Sequence, residues 1–254
     1  MELNKYIDHT NLKNTGTLKD IEKLCDEAIK YKFASVCIYP YYVPLAKSLL
    51  KDTNVEVCTV IGFPSGMSTK EVKVYEAIDA VEKGATEIDM VINIAALKNK
   101  EYDYVKEEIE EIRDAIDGKV LKVIIETCLL TEEEIVKMVE ICNDTFVNFI
   151  KTSTGFDKEG AKVKDIELMN SHKGAVLEIK ASGGIRDIET AEEMIKAGAT
   201  RIGTSSGVKL MNATSNQEDK HECNCNHEHH GCKCNHEHEQ KNHECKCKHK
   251  DEEE

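Results

Sequence analysis

The 254-residue chain is 40% hydrophobic and 32% charged, with a formal net charge of −14. A core is affordable, but the sign is wrong for a nucleic-acid binder or an anionic-membrane binder, both of which need clustered Lys and Arg. No apolar run approaches the ~20 residues of a membrane span, and the opening MELNKYIDHT lacks the basic and apolar regions of a signal peptide, so the expected location is the cytosol.

A first strand is expected at Tyr6–His9, followed by a helix at Thr17–Lys32 that places Leu18, Ile21, Leu24 and Ala28 on one face. Strand Ala34–Tyr39 precedes a shorter helix near Tyr41–Lys51. Strand Val55–Ile61 precedes a helix at Ser68–Lys83 that opens on a Ser-x-x-Glu capping box, carries the apolar stripe Val72, Tyr75, Ile78 and Val81, and stops at Gly84. Strand Glu87–Asn93 leads to helix Tyr104–Asp117, and strand Leu121–Thr127 leads to helix Thr131–Asn143 with a capping box at Thr131 and Glu134. Strand Val147–Thr152 is followed by a short helix near Val163–His172, strand Leu177–Ser182 by helix Asp187–Ala197, and Arg201–Thr204 is the eighth strand. Runs such as VLKVII and FVNFI are continuously apolar and β-branched, as parallel strands covered by helices are. Eight strands separated by seven helices predict a (β/α)8 TIM barrel of the α/β class, with an open doubly wound sheet as the alternative.

Three polar residues stand where these strands should be apolar: Asp89 in EIDMVIN, Lys151 in FIKTSTGF and Lys180 in LEIKASGGIR. Burying an ion costs several kcal/mol unless it is paired or used. One reading is a structural salt bridge between Asp89 and one lysine. In the other, a lysine beside a second cation loses its proton more readily and becomes a nucleophile toward a carbonyl. Glycine-rich turns follow the last three strands, at Ser153-Thr154-Gly155, Ser182-Gly183-Gly184-Ile185-Arg186 and Gly203-Thr204-Ser205-Ser206-Gly207. As a set they offer backbone N–H groups, hydroxyls and a helix N-terminus to a phosphate; singly they are ordinary turns. Cys25, Cys37, Cys58, Cys128 and Cys142 are scattered among apolar residues and are expected as buried free thiols.

The end of the chain differs in composition. From Asn212 to Glu254 the only apolar residues are Ala213 and six cysteines, too few to offset the entropy of ordering, so a barrel over 1–211 and a disordered or metal-ordered tail over 212–254 are expected. Within the tail, Cys223, Cys225, His227 and His229, then Cys232, Cys234, His236 and His238, then His243, Cys245, Cys247 and His249 form an imperfect repeat of Cys-x-Cys with nearby His. Thiolate and imidazole suit Zn²⁺, Cu⁺ or Ni²⁺. A redox dithiol and a purposeless low-complexity tail are the alternatives.

The segments IDHTNLK, SVCIYP, EIDMVINI, VIIETCLLT, FIKTSTGF, EIKASGGIR and RIGTSSG, colinear over roughly residues 1–210, resemble those of the deoxyribose-phosphate aldolases, class I Schiff-base enzymes with a TIM-barrel fold. The resemblance implies reversible cleavage of 2-deoxy-D-ribose 5-phosphate to D-glyceraldehyde 3-phosphate and acetaldehyde, without a catalytic cofactor, in a homodimer. It implies Lys151 as the Schiff-base lysine, Lys180 as its perturbing partner and Asp89 as a proton relay through water. Gly155, Gly183, Gly184, Gly203, Ser205 and Ser206 match the family's phosphate cradle, with Arg186 beside it and Cys37 and Thr152 lining the pocket. His9 and His172 are expected to be structural or surface residues. The tyrosine near the C-terminus of some relatives has no counterpart, since the last tyrosine is Tyr104. The resemblance stops before the tail, which leaves as a rival reading a metal-handling protein with the barrel as its carrier.

Overall fold

A computed structural model of the chain describes residues 2–218, with side chains through residue 214. Strands and helices alternate as β1 (Ile7–Asn11), α1 (Leu18–Tyr31), β2 (Ser35–Ile38), α2 (Val43–Leu49), β3 (Glu56–Ile61), α3 (Lys70–Glu82), β4 (Glu87–Val91), α4 (Ile94–Lys98) and α5 (Tyr102–Ala115). There follow β5 (Val120–Ile124), α6 (Glu132–Asp144), β6 (Phe149–Lys151), α7 (Val163–His172), β7 (Glu178–Ser182), α8 (Ile188–Ala197), β8 (Arg201–Thr204) and α9 (Gly207–Glu218). Every neighbouring pair is parallel, and β1 pairs with β8 through Asp8 and Gly203, closing the barrel. That closure decides for the TIM barrel and against the open sheet.

Two faces of each strand have opposite chemistry. The alternation of a strand sends Val36, Ile88, Met90, Leu121, Val123, Ile150, Ile179 and Ile202 outward into the apolar layer beneath the helices, all essentially inaccessible. The same alternation sends Asp8, Ser35, Glu87, Asp89, Lys122, Lys151 and Lys180 inward, also buried. Each fully buried aliphatic side chain of the outer layer contributes about 1.5–3 kcal/mol, so the fold is held largely from outside while the interior carries charge.

Helix starts follow local chemistry. Thr17 and Asp20 cap α1 reciprocally, the Thr17 N–H donating to the Asp20 carboxylate at 2.7 Å. Thr131 and Glu134 form the capping box expected for α6. The expectation for α3 fails twice. Its N-cap is Thr69, one residue beyond Ser68, and makes no side-chain capping bond. Its buried face is Lys73, Ala77 and Ala80, while Val72, Tyr75 and Ile78 of the apolar stripe face outward, Tyr75 at 71% exposure. The cause is a buried ion pair: the Lys73 ammonium reaches Glu108 of α5 at 2.6 Å and the Val91 carbonyl at 2.8 Å, turning a polar residue inward and the stripe out. α4 and α9 were not expected from periodicity, and α9 runs across residues 211 and 212. Four of the five scattered cysteines are buried; Cys128 is partly exposed.

Candidate active site

Asp89, in the middle of β4, is the hub of the barrel interior. Its Oδ2 accepts from Lys151 of β6 and from Lys180 of β7, both at 2.7 Å. Its Oδ1 accepts from Lys122 of β5 at 2.9 Å and from the Cys58 thiol of β3 at 3.1 Å. The network continues as a ring. Lys122 pairs with Glu87 at 2.5 Å, Glu87 with Arg201 at 3.3 Å, Arg201 with Asp8 at 2.7 Å, and Asp8 with Lys180 at 2.5 Å. The Ser35 hydroxyl donates to Asp8 at 2.7 Å.

Neither sequence reading of these ions is complete. The salt bridge exists, but Asp89 serves three lysines rather than one, and no lysine of the three lacks a carboxylate. The surplus belongs to the network as a whole: Lys122, Lys151, Lys180 and Arg201 face Asp8, Glu87 and Asp89. Four potential cations against three carboxylates leave one positive charge in excess when all are protonated, and a lysine that gives up its proton is the form that attacks a carbonyl. Burial alone would raise the Asp89 carboxyl, but Lys122, Lys151 and Lys180 together hold it well below the ordinary carboxylate range. Burial likewise opposes the charge on Lys180, and Asp8 and Asp89 outweigh it, keeping the ammonium above its usual range. Lys122 is held protonated in the same way, chiefly by Asp89.

Lys151 is the last residue of β6, and it opens into a cleft of about 670 Å³ at the carboxyl ends of the strands. The cleft is lined by Gly155 after β6, Gly183, Gly184 and Arg186 after β7, and Gly203 and Ser205 of β8 and its loop. Gly155, Gly183 and Gly184 have φ of +83°, +82° and +81°, a left-handed backbone that glycine adopts without strain. Gly160 and Gly183 are in van der Waals contact, and a Cβ on Gly160 would stand 2.1 Å from the Gly183 oxygen, so the two loops approach as closely as backbone allows. Glu126 stabilises the first of them, accepting from the Thr154 N–H at 3.1 Å and from its hydroxyl.

The family model for DeoC/LacD family aldolases matches residues 3–213. The chain belongs to the DeoC/LacD aldolase family. It is 56% identical over 210 residues to the deoxyribose-phosphate aldolase of Mannheimia succiniciproducens, covering 83% of this chain and 94% of that one. It is 56% identical over 212 residues to that of Clostridium tetani, covering 83% and 98%. Among solved structures, a putative deoxyribose-phosphate aldolase from Coccidioides immitis superposes with a TM-score of 0.82 at 41% identity, covering 84% and 86%. The deoxyribose phosphate aldolase from Aeropyrum pernix, described as tetrameric, gives 0.79 at 32%, covering 85% and 92%.

In this family member the expected site residues divide by depth. Lys151, Gly155, Gly183, Gly184, Arg186, Gly203 and Ser205 line the cleft together; Ser206 lines an adjoining depression with Ser205. Asp89, Lys180, Cys37 and Thr152 are buried beneath it. The Thr152 hydroxyl ties β6 to β7, donating to the Ser182 carbonyl at 3.2 Å and accepting from its N–H at 3.1 Å. His9 is buried, with Nε2 against Glu27 at 2.8 Å, and borders the cleft; His172 is at the exposed end of α7. Sequence reasoning missed Lys122, Asp8, Glu87 and Arg201. For Lys122 the signal was present, a charged residue inside the apolar run VLKVII, the same anomaly that marked Asp89. Cys223 to Cys247 and His227 to His249 of the proposed metal set lie outside the described residues. No helix among the described residues is long and apolar enough to cross a membrane.

Proposed function

We propose that this DeoC/LacD-family chain reversibly cleaves 2-deoxy-D-ribose 5-phosphate to D-glyceraldehyde 3-phosphate and acetaldehyde, with Lys151 as the Schiff-base lysine. The observation that carries the assignment is that Lys151 alone of the three lysines on Asp89 lines the cleft, alongside the glycine turns. The Lys151 amine adds to the aldehyde carbon of the open-chain sugar and loses water to a protonated imine. Loss of the C3 hydroxyl proton breaks the C2–C3 bond, and the imine takes up the electron pair as an enamine. Protonation and hydrolysis of the enamine release acetaldehyde. The imine is itself the electron sink, so no cofactor is needed for the chemistry.

Asp89 and the Lys180 ammonium are placed to move protons next to Lys151 through water, the general acid–base work that several steps share. The positive-φ turns at Gly155, Gly183 and Gly184, with Gly203, Ser205, Ser206 and Arg186, present N–H groups and a cation to the phosphate. Cys37 and Thr152 shape the floor. The test is borohydride trapping with the sugar phosphate, followed by peptide mass spectrometry. A reduced adduct on Lys151 that requires substrate is expected; folded protein giving none would remove the imine mechanism.

Three further assignments complete the reading. The tail, residues 212–254, binds Zn²⁺, Cu⁺ or Ni²⁺ through its thiols and imidazoles; native mass spectra of reduced protein with Zn²⁺ should show bound ions. The chain is a homodimer that covers the outward Val72, Tyr75 and Ile78 of α3. It works in the cytosol, where its free thiols stay reduced.

A further inference from the structure

Cys37 and Cys58 are register partners across the β2–β3 pairing, both inward-facing and buried. With Asp89 they make a compact donor set: two sulfurs and a carboxylate oxygen within 4.8 Å of one another. Around a tetrahedral ion with M–S of about 2.3 Å and M–O of about 2.1 Å, ligand atoms stand roughly 3.6–3.8 Å apart, and two sulfurs on a linear ion about 4.6 Å. The three atoms therefore need only small side-chain shifts to share one ion. A second donor set, Asp8, Cys58 and Glu87, offers one sulfur and two carboxylates rather than two sulfurs, and so suits a thiophilic ion less well.

We propose that Cys37, Cys58 and Asp89 form an inhibitory site for a thiophilic metal ion. Binding forms two metal–sulfur bonds and releases both thiol protons, so a divalent ion enters as two protons leave. The charge of the pocket is unchanged, which matters in a network already carrying four potential cations on three carboxylates. Thiolate pairs select soft and borderline ions, whereas Mg²⁺ and Ca²⁺ require more oxygen ligands than the single carboxylate supplies. The bound ion takes Asp89 from its lysines. Cys58 already stands 3.1 Å from the Asp89 oxygen that Lys122 uses, and the other carboxylate oxygen holds Lys151 and Lys180. A metal on Asp89 thus withdraws the negative charge that organises both lysines, and turnover stops. The loss of turnover rests on the aldolase reading; the binding does not.

The probe is Cd²⁺ at a free concentration fixed by a chelator buffer, so that uptake by the Cys- and His-rich tail of the full-length protein leaves the free ion unchanged. Wild type should lose turnover, whereas Cys37→Ala and Cys58→Ala, each compared with its own metal-free rate, should need roughly tenfold or more Cd²⁺ for the same loss, and Mg²⁺ should do nothing. Native mass spectrometry should count one fewer Cd²⁺ on the Cys37→Ala/Cys58→Ala double variant, with weaker thiolate-to-metal absorption. Serine at both positions provides the same comparison where alanine prevents folding. Equal sensitivity and equal ion count in wild type and double variant overturn the proposal, as does an ion bound there without loss of turnover. A wild type inactive without metal would remove the aldolase reading, and the ion count would still decide the site.

Discussion

Asp89 carries more of this molecule than its single charge suggests, because three lysines and a thiol converge on its two oxygens. Asp89→Asn keeps the shape but leaves a cluster of buried ammonium groups without their common counter-ion, which costs about 3–5 kcal/mol. Turnover should fall about 10²–10⁴-fold with the loss of its acid–base role; urea unfolding and steady-state kinetics check the two effects separately. Asp8 and Asp89 also set the acid limit of stability. Burial would raise both carboxyls, but the lysines, with Arg201 at Asp8, hold both below the ordinary range. A carboxyl depressed in the folded state contributes its full stability above its unfolded value, about 3.9, and loses it as pH falls toward the folded value. The urea midpoint should therefore be insensitive to these groups above about pH 5 and fall steeply below about pH 4. A midpoint unchanged down to about pH 3 would contradict the network.

Elements show where local sequence decides and where it does not. The capping box of α6 acts within one turn and is readable from residues, whereas the one on α1 was not read from the sequence. Thr131→Ala should cost about 1 kcal/mol of stability and leave turnover unchanged, as thermal denaturation and an activity assay would show. Loop-to-loop fit is different. Gly160 follows β6, and only the folded molecule sets it against Gly183 after β7. Gly160→Ala places a methyl where the Gly183 carbonyl lies and separates the two turns assigned to the phosphate. KM for the sugar phosphate should rise about tenfold with a smaller change in kcat, as misplaced binding groups give. α3 makes the same point through packing, because the Lys73–Glu108 pair, joined across two helices, overrides the apolar stripe that periodicity assigns to the core.

At the scale of the molecule, closure of the barrel is what assembles the site. Asp8 and Arg201 are 193 residues apart in sequence and 2.7 Å apart in space, on strands that meet only because β1 pairs with β8. The outer surface carries the consequence of the α3 orientation. Tyr75 is 71% and Val72 48% exposed on one helix face, an apolar patch of the sort that marks an interface. Light scattering after size exclusion should give the mass of a dimer for wild type and of a monomer for Tyr75→Asp; a wild-type monomer, or a Tyr75→Asp dimer, would place the contact elsewhere or remove it.

The sequence by itself determined the eight strands and most of the helices, since periodicity and caps are local. It also marked Asp89, Lys151 and Lys180, because an ion inside an apolar strand is costly wherever it occurs. The glycine turns were legible for a related reason: glycine-rich turns after three successive strands, two of them with positive-φ glycines, leave a trace in composition. Lys122 was equally visible and was read as part of an apolar run. Asp8, Glu87 and Arg201 were not, as charges near strand starts are common and nothing local distinguishes a solvated one from one buried in the barrel. Only the tertiary structure decided which ions meet, which face of α3 is buried and that Cys37 and Cys58 stand beside Asp89, because each depends on contacts between residues far apart in the chain. Those contacts exist once the sheet closes, and their energies are set by the burial that closure imposes.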